Sequence, residues 1–181
     1  MTFDYFVVDN LFKNPLAIAK LVDDVAFFSK EEECLQGITL EKDLTNIPPY
    51  AWRGYRSDLL EKTLPELNQS IIRSHDYLFK KFYNIQLDFF NFKSYFHFTN
   101  FSLKFSEDFW HRDYSSYASV IYLSPNPPPN SGTLLKHNKK EIVVENKFNR
   151  LVCYRGDILH TPQSFFGVTK EDSRLTITSF F

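Results

Sequence analysis

The sequence predicts a mainly β domain whose N-terminal part is helical and supports the β core. Two observations carry this prediction. The sequence pattern changes near residue 86, from segments with helical periodicity to a close succession of short β segments. Aromatic residues are abundant, with 20 Phe, 10 Tyr and 2 Trp, and such side chains favour strands and fill sandwiches and barrels. We therefore expect an antiparallel sandwich or barrel braced by helices.

The N-terminal part, residues 1–85, contains one predicted strand and two predicted helices. Residues 3–8 form a short apolar strand, and the proline at position 15 suits the first turn of a helix over 15–25. A second helix is expected over 65–82, because apolar residues recur there at three- and four-residue steps. Thr63 and Glu66 have the spacing of a capping box at its start.

The C-terminal part, from residue 86 onward, reads as a series of strands separated by turn residues. The predicted strands cover residues 87–92, 95–105, 118–123, 132–135, 142–145, 150–154 and 175–181. With 181 residues the chain has the length of one domain and can bury a sizeable core. We predict a single domain over 1–181, in which 1–85 supports a β core formed by 86–181.

Charge and cysteine content narrow the class of protein. The 21 basic and 22 acidic residues give a net charge of −1, which gives no signal for a nucleic-acid or membrane surface, although a local basic patch stays possible. Cys34 and Cys153 have no C-x-x-C spacing, so they predict neither a disulfide framework nor a zinc site. Without a signal peptide or an apolar run of ~20 residues, we expect a cytoplasmic protein of unspecified oligomeric state.

One group of residues has the character of a metal site. In Trp110-His111-Arg112-Asp113 the side chains of an extended segment alternate, so His111 and Asp113 project to one face and can bind one ion. His160 offers a third ligand at the end of an apolar run after a tight turn. Two histidines and one carboxylate leave positions open, as in non-haem Fe(II) oxygenases, although the same set also suits catalytic zinc. We call these three residues the metal triad.

The other three histidines lack a carboxylate two residues away on an extended segment. His75 belongs to the apolar stripe of the second helix, where we expect a helix-face or partly buried residue. His97 lies among phenylalanines, as a satisfied structural histidine would. His137 lies among lysines and is expected in a solvated turn.

The last predicted strand carries an unusual arginine. Period-two alternation places Arg174, Thr176 and Thr178 on one face, opposite Leu175 and Ile177. A buried arginine without a partner is costly, and a guanidinium binds a carboxylate through two parallel hydrogen bonds. An anionic ligand beside Arg174 follows as a hypothesis, and an exposed arginine at the strand end is the alternative.

The order of these residues resembles that of the Fe(II)/2-oxoglutarate-dependent dioxygenase superfamily. A H-x-D motif at His111 and Asp113 precedes the distal His160, and Arg174 is followed two residues later by the hydroxyl residue Thr176. The segments between the two histidines resemble the strands of these enzymes: residues 120–124, 131–133 and 149–157. The resemblance covers residues 86–181 and is strongest to the small prolyl-hydroxylase-like branch, which includes uncharacterised bacterial and phage proteins.

The resemblance implies a double-stranded β-helix, a jelly-roll and cupin-like core, with Fe(II) on the metal triad. It also implies that Arg174 and Thr176 hold the distal carboxylate of the cosubstrate 2-oxoglutarate. Tyr122, on the strand after H-x-D, is a further hydrogen-bond donor by the same resemblance, and a core tyrosine is the alternative. The implied reaction consumes O2, converts 2-oxoglutarate to succinate and CO2, and hydroxylates a substrate.

Two departures from the family pattern stand out. The separation of fourteen positions from His160 to Arg174 implies an extended loop over 163–172, and the turn before the third strand has only Gly132. Neither removes a ligand. The intact Asp113 argues against the halogenase variant, which replaces this carboxylate.

The substrate is not specified by the sequence. Three residues of the loop over 48–56 and two residues near H-x-D are possible residues of the site mouth: Trp52, Arg53 and Arg56, and Trp110 and Arg112. Ordinary surface arginines and packed aromatic residues are the alternative. A protein residue or a small metabolite both fit. A non-catalytic cupin-like binding protein and a zinc-dependent hydrolase or isomerase are the rival functions, and neither requires Arg174 and Thr176 beside the metal.

Overall fold

The structure, a computed structural model, describes residues 4–29, 54–100 and 109–181. Within these ranges the chain forms ten strands: β1 (Tyr5–Val8), β2 (Phe27–Phe28), β3 (Tyr55–Ser57), β4 (Lys93–Thr99), β5 (Tyr117–Tyr122), β6 (Thr133–His137), β7 (Lys140–Val144), β8 (Leu151–Arg155), β9 (Leu159–Pro162) and β10 (Arg174–Phe180). The described helices are α1 (Pro15–Lys20), α2 (Leu60–Thr63) and α3 (Pro65–Tyr83), with a 3-10 turn at Leu21–Asp24.

The strands form two antiparallel sheets. The larger sheet has the order β1-β8-β5-β10-β4-β3-β2, and the smaller sheet has the order β7-β6-β9. Their facing sides share one apolar cluster, to which the large sheet contributes Val120 and Val152 and the small sheet contributes Leu135 and Val144. The mainly β, jelly-roll fold class is thereby confirmed, with the helices on the N-terminal side of the chain.

A second apolar cluster joins α3 to the outer face of the large sheet. Ile71 and Phe79 of the helix pack in one cluster with Phe96 and Ile177 of the strands. The predicted helix is confirmed almost to the residue. Pro65 occupies its first turn, where its missing N–H costs nothing, and Asn84 ends it in the left-handed region at φ 53°, a conformation that asparagine tolerates.

Two details of the helix predictions were wrong. Thr63 ends α2, and its hydroxyl donates to the carbonyl of Leu59, so the residue before α3 is Leu64 and no capping box forms. The first helix ends at Lys20 and gives way to the 3-10 turn, and Val25 is already extended. Asp23 and Asp24 would lie at the negative end of a longer helix, where carboxylates are unfavourable.

The strand predictions were confirmed for β4 to β8 and for β10, with shifts of a few residues at the ends, and residues 101–105 of one predicted strand lie outside the described residues. The predicted strand over 87–92 was wrong. The N–H of Phe92 donates to the carbonyl of Phe89 in a turn, and Phe90 is 90% exposed. The strands β2, β3 and β9 were missed because two to four residues are too few to show a period-two pattern.

The alternation of β10 was confirmed. Leu175 and Ile177 pack in the helix-side cluster, whereas Arg174 lies on the face toward the smaller sheet, where it contacts Thr133 of β6 and the carbonyl of Ser131. Thr176, two residues along, pairs with Tyr122 of β5. This space between the two sheets also holds the metal triad. Cys153 is a buried free thiol, and Cys34 lies outside the described residues. Among the described helices, none combines the length and apolar character that crossing a bilayer requires.

Candidate metal centre

The backbone brings the two predicted histidine ligands side by side. The N–H of His111 donates to the carbonyl of His160 at 3.0 Å, and the N–H of His160 donates back at 2.9 Å. The N–H of Asp113 donates to the carbonyl of Gly156 at 2.8 Å. Gly156 permits this approach because a Cβ there would lie 1.9 Å from the carbonyl oxygen of Ser115. The H-x-D segment is therefore held against the turn between β8 and β9.

The three side chains converge on one point. One ligand atom from each residue lies within 4.8 Å of the other two. His160 Nε2 lies 3.4 Å from Asp113 Oδ2, and His111 Nε2 lies 3.9 Å from Asp113 Oδ1. Two ligands at right angles around an ion, each ~2.1 Å away, are ~3 Å apart, so a small contraction would place all three on one cation.

Both histidines present the nitrogen that a metal needs. His111 Nδ1 lies 2.7 Å from the carbonyl oxygen of Phe109, and His160 Nδ1 lies 2.8 Å from that of Ile158. Carbonyl oxygens only accept hydrogen bonds, so each Nδ1 carries the proton and each Nε2 keeps its lone pair. Such hydrogen bonds to the distal nitrogen fix tautomer and ring orientation in metal sites. Each histidine is therefore orientated by a carbonyl two residues before it.

Electrostatics in the triad favour a bound cation. Burial lowers the pKa of His160 to about 3, with a further contribution from nearby His111, so this imidazole is neutral. Burial also raises the pKa of Asp113, whose side chain is 14% exposed. Asp113 Oδ2 is buried and accepts no hydrogen bond from the described residues. A cation would satisfy this oxygen and compensate the burial of the carboxylate, so the three residues fit a divalent metal.

Arg174 lies in the same space between the sheets. It is 5% exposed, its Nε donates to the carbonyl of Ser131 at 3.1 Å, and its Nη2 lies 3.5 Å from Thr133 Oγ1. Its Cζ lies 5.4 Å from the centre of the Tyr122 ring. No carboxylate of the described residues pairs with it, and burial lowers its pKa. The guanidinium is thus a buried cation with unused hydrogen-bonding capacity.

Tyr122 and Thr176 are register partners on adjacent strands beside this arginine, and both are fully buried. The Tyr122 hydroxyl donates to Thr133 Oγ1 at 2.7 Å, and the Thr176 hydroxyl donates to the carbonyl of His97 at 3.1 Å. Thr133, which contacts both Tyr122 and Arg174, was missed by the sequence reasoning. Alternation along the predicted strand over 132–135 puts Thr133 on the same face as Leu135, and this pattern could have indicated that Thr133 points inward.

The sequence reasoning also missed Tyr154. Its ring centre lies 4.6 Å from that of His160, and it is 3% exposed. It belongs to the apolar cluster between the sheets, two residues from the inward-facing Val152, so the alternation of β8 could have indicated it.

The remaining histidines are held by protein groups. His75 is fully buried, more so than expected, with Nδ1 2.8 Å from the carbonyl of Ile71 and Nε2 2.9 Å from Ser119 Oγ. His137 ends β6 and lies 3.3 Å from Asp4, so the solvated-turn prediction was wrong. The Cα of His97 pairs with that of Thr176.

The residues predicted for the site mouth lie in different environments. The guanidinium of Arg56 lies over the rings of Tyr95 and Phe180, 5.3 Å from each centre. Arg112 is exposed and donates to the carbonyl of Asp157. The ring of Trp110 is covered by Lys136, whose Nζ lies 4.2 Å from the ring centre. Trp52 and Arg53 lie outside the described residues.

Comparison with known proteins gives structural likeness only. No family model and no curated protein sequence matches the chain. A prolyl-4-hydroxylase from Pseudomonas putida superposes with a TM-score of 0.61 at 13% identity, covering 99% of this chain and 93% of that one. A Trichoplax adhaerens prolyl hydroxylase, in complex with a hypoxia inducible factor peptide fragment, gives 0.63 at 14% identity, covering 99% and 83%.

A third structure, HygX from Streptomyces hygroscopicus with nickel and 2-oxoglutarate bound, gives a TM-score of 0.61 at 9% identity, covering 98% of this chain and 82% of that one. All three likenesses extend over nearly the whole chain, including its N-terminal helices. The chain thus has the double-stranded β-helix fold, in the form seen in these two prolyl hydroxylases and in HygX.

Proposed function

We propose that this protein is an Fe(II)- and 2-oxoglutarate-dependent oxygenase that hydroxylates a protein residue or a small metabolite. The observation that carries the proposal is the joint placement of the metal triad and Arg174 on one inner surface. On β6, Leu135 pairs with the ligand His160, while Thr133, two residues away, contacts Arg174. Two residues along a strand span ~7 Å, which suits a short dicarboxylate that binds a metal at one end and an arginine at the other.

The charges of the site support the same ligand. A divalent cation and the Asp113 carboxylate leave one net positive charge at the triad, and the buried Arg174 guanidinium adds a second. The cosubstrate 2-oxoglutarate is a dianion and would neutralise both. Without such a ligand, each charge lies in a low-dielectric interior uncompensated, which is unfavourable.

Each residue then has a separate task. His111, Asp113 and His160 would hold the iron on one face and leave its other positions to the cosubstrate and O2. Arg174 would bind the distal carboxylate of 2-oxoglutarate through paired hydrogen bonds, with Tyr122, Thr133 and Thr176 lining that end. The apolar residues between the sheets exclude water. Bound iron supplies the chemistry that couples decarboxylation of 2-oxoglutarate, giving succinate and CO2, to hydroxylation of a substrate.

The experiment is an anaerobic titration followed by visible absorption. Adding Fe(II) and then 2-oxoglutarate to the wild-type protein is expected to produce a weak charge-transfer band, which Asp113→Ala abolishes and Arg174→Ala weakens. Asp157→Ala is the matched control, because this exposed aspartate lies in the neighbouring turn and pairs with Arg155. Wild-type protein that binds iron but gives neither the band nor succinate with any candidate substrate would contradict the oxygenase and favour a binding protein.

A further inference from the structure

The space between the sheets holds a tyrosine hydroxyl that the proposed function does not use. Tyr154 projects from β8 into the inner cluster and packs its ring against that of His160. It is 3% exposed, yet its hydroxyl forms no hydrogen bond with another described residue. The hydroxyl of a largely buried tyrosine ordinarily has a partner, so this hydroxyl is available to donate to a ligand bound in the space between the sheets.

Tyr154 lies within electrostatic reach of both ends of the proposed cosubstrate site. The Asp113 carboxylate and the Arg174 guanidinium both act on its pKa, and of all the charged groups Asp113 acts most strongly. A phenol is protonated at neutral pH, so this hydroxyl can donate a hydrogen bond. Its ring packs against that of His160, and Asp113 is the charged group that acts most strongly on it, which favours the metal end of the site for this donor.

We infer that Tyr154 is a cosubstrate-binding residue, whose hydroxyl donates a hydrogen bond to the keto-acid end of 2-oxoglutarate bound at the metal triad. The inference rests on the proposed function. It assigns the two ends of the cosubstrate to different donors, the distal carboxylate to Arg174 and the proximal end to Tyr154. The expected consequence is weaker cosubstrate binding, with unchanged metal binding, when the hydroxyl alone is removed.

A second partner for the hydroxyl must be distinguished. Asp113 Oδ2 is also buried without a hydrogen bond from the described residues, and Asp113 is the charged group that acts most strongly on Tyr154, so this oxygen is the alternative acceptor. In that case Tyr154 would orientate a metal ligand and would not contact the cosubstrate. The two roles differ in what they stabilise: a bond to Asp113 raises the affinity for the metal, and a bond to the keto acid raises the affinity for the cosubstrate.

Calorimetric titration separates these roles. Nickel(II) is used in place of iron, so that the binding of metal and then of 2-oxoglutarate is measured without turnover. The variant is Tyr154→Phe, which keeps the ring against His160. The control is Tyr117→Phe, since Tyr117 packs on Phe79 and Phe181 at the helix side of the same sheet. A hydrogen bond to a charged group is worth roughly 10- to 100-fold in affinity.

We expect Tyr154→Phe to raise the Kd for 2-oxoglutarate by roughly 10- to 100-fold and to leave the nickel affinity within about twofold of wild type, while Tyr117→Phe changes neither. Pyruvate keeps the keto-acid end of the cosubstrate and lacks the distal carboxylate. We therefore expect Tyr154→Phe to lower the affinity for pyruvate and Arg174→Ala to leave it unchanged. The charge-transfer band of the Fe(II) complex should also shift in energy in Tyr154→Phe.

Two results would overturn the inference. A 2-oxoglutarate Kd within about twofold of wild type would show that the ring only packs, and a loss confined to nickel affinity would assign the hydroxyl to Asp113. If wild-type protein binds nickel but not 2-oxoglutarate, the proposed function itself fails, and this outcome is distinct because it appears before any substitution is made.

Discussion

His111 and His160 exchange both of their backbone hydrogen bonds, at 3.0 and 2.9 Å, as an isolated antiparallel bridge. The bridge fixes the separation of the two main chains, and the carbonyls of Phe109 and Ile158 fix the two rings. The positions of both imidazole nitrogens therefore follow from backbone geometry. A site held in this way is organised before the metal arrives, which lowers the entropy cost of binding.

Gly156→Ala should remove the metal site. The new Cβ would lie 1.9 Å from the carbonyl oxygen of Ser115 and 3.2 Å from that of Asp113, so the H-x-D segment must move away from the turn. We expect at least a 100-fold loss of nickel affinity, since displacing ligand-orientating groups alone typically costs ~10- to 100-fold. Calorimetry measures this loss.

Gly167→Ala is the matched control for that variant. Gly167 has φ 81°, and a Cβ there would lie 2.4 Å from the carbonyl oxygen of Asp172, so this substitution is also strained. It lies in the loop after β9 and should lower the melting temperature while leaving nickel affinity unchanged. Equal losses of nickel affinity in the two variants would mean that general destabilisation, and not the position of Asp113, explains the effect.

Asp113→Asn should lower nickel affinity by more than about 100-fold, because the amide keeps the shape of the carboxylate and removes the charge that the cation neutralises. Asp157→Asn, in the exposed ion pair with Arg155, should bind nickel as the wild type does. Retention of wild-type affinity in Asp113→Asn would remove the aspartate from the predicted ligand set.

Arg174→Met should separate stability from binding. The arginine is buried with no carboxylate partner among the described residues, and replacing a buried charge by an apolar side chain of similar volume is often neutral or stabilising. We expect the melting temperature of the ligand-free variant to equal or exceed that of the wild type.

At saturating 2-oxoglutarate, the wild type should instead have the higher melting temperature of the two proteins. A ligand present at 100 times its Kd stabilises the folded state by about 2.7 kcal/mol, and this gain should appear in the nickel-loaded wild type and be smaller in Arg174→Met. Thermal unfolding with and without the cosubstrate measures both quantities. A ligand-induced shift of equal size in the two proteins would exclude Arg174 from the cosubstrate site.

His75 should make the metal-free protein sensitive to acid. Burial lowers its folded-state pKa from 6.5 to about 4, so between these values the unfolded chain binds the proton and the folded chain does not. Stability is then complete above pH 6.5 and falls as the pH is lowered toward 4. At 1.36 kcal/mol per pKa unit, this residue should cost about 2 kcal/mol between pH 7 and pH 5.

His75→Gln tests that contribution, since glutamine does not titrate and can still hydrogen-bond Ser119, the partner of His75 Nε2. Urea unfolding at pH 7 and pH 5 should show a smaller loss of stability in the variant by about 2 kcal/mol. His160 also has a lowered pKa, but it is present in both proteins and cancels in the comparison. An unchanged pH dependence would show that His75 does not supply the effect.

The sequence by itself determined the features that depend on local periodicity. The apolar steps over 65–82 gave α3, and alternation along the last strand placed Arg174 and Thr176 on one face and Leu175 and Ile177 on the other. The spacing of His111 and Asp113 placed them on one side of an extended segment. These properties follow from residues a few positions apart, whose relative direction is fixed by backbone geometry.

Only the tertiary structure decided which faces meet. The bridge between His111 and His160, the contact of Arg174 with Thr133, and the ring of Tyr154 against His160 all join strands that are distant along the chain. Periodicity predicts that a side chain points inward, but it does not predict which residues of the facing strands the side chain contacts. That choice comes from the pairing of strands and the packing of two sheets around one core, which balances burial over the whole domain.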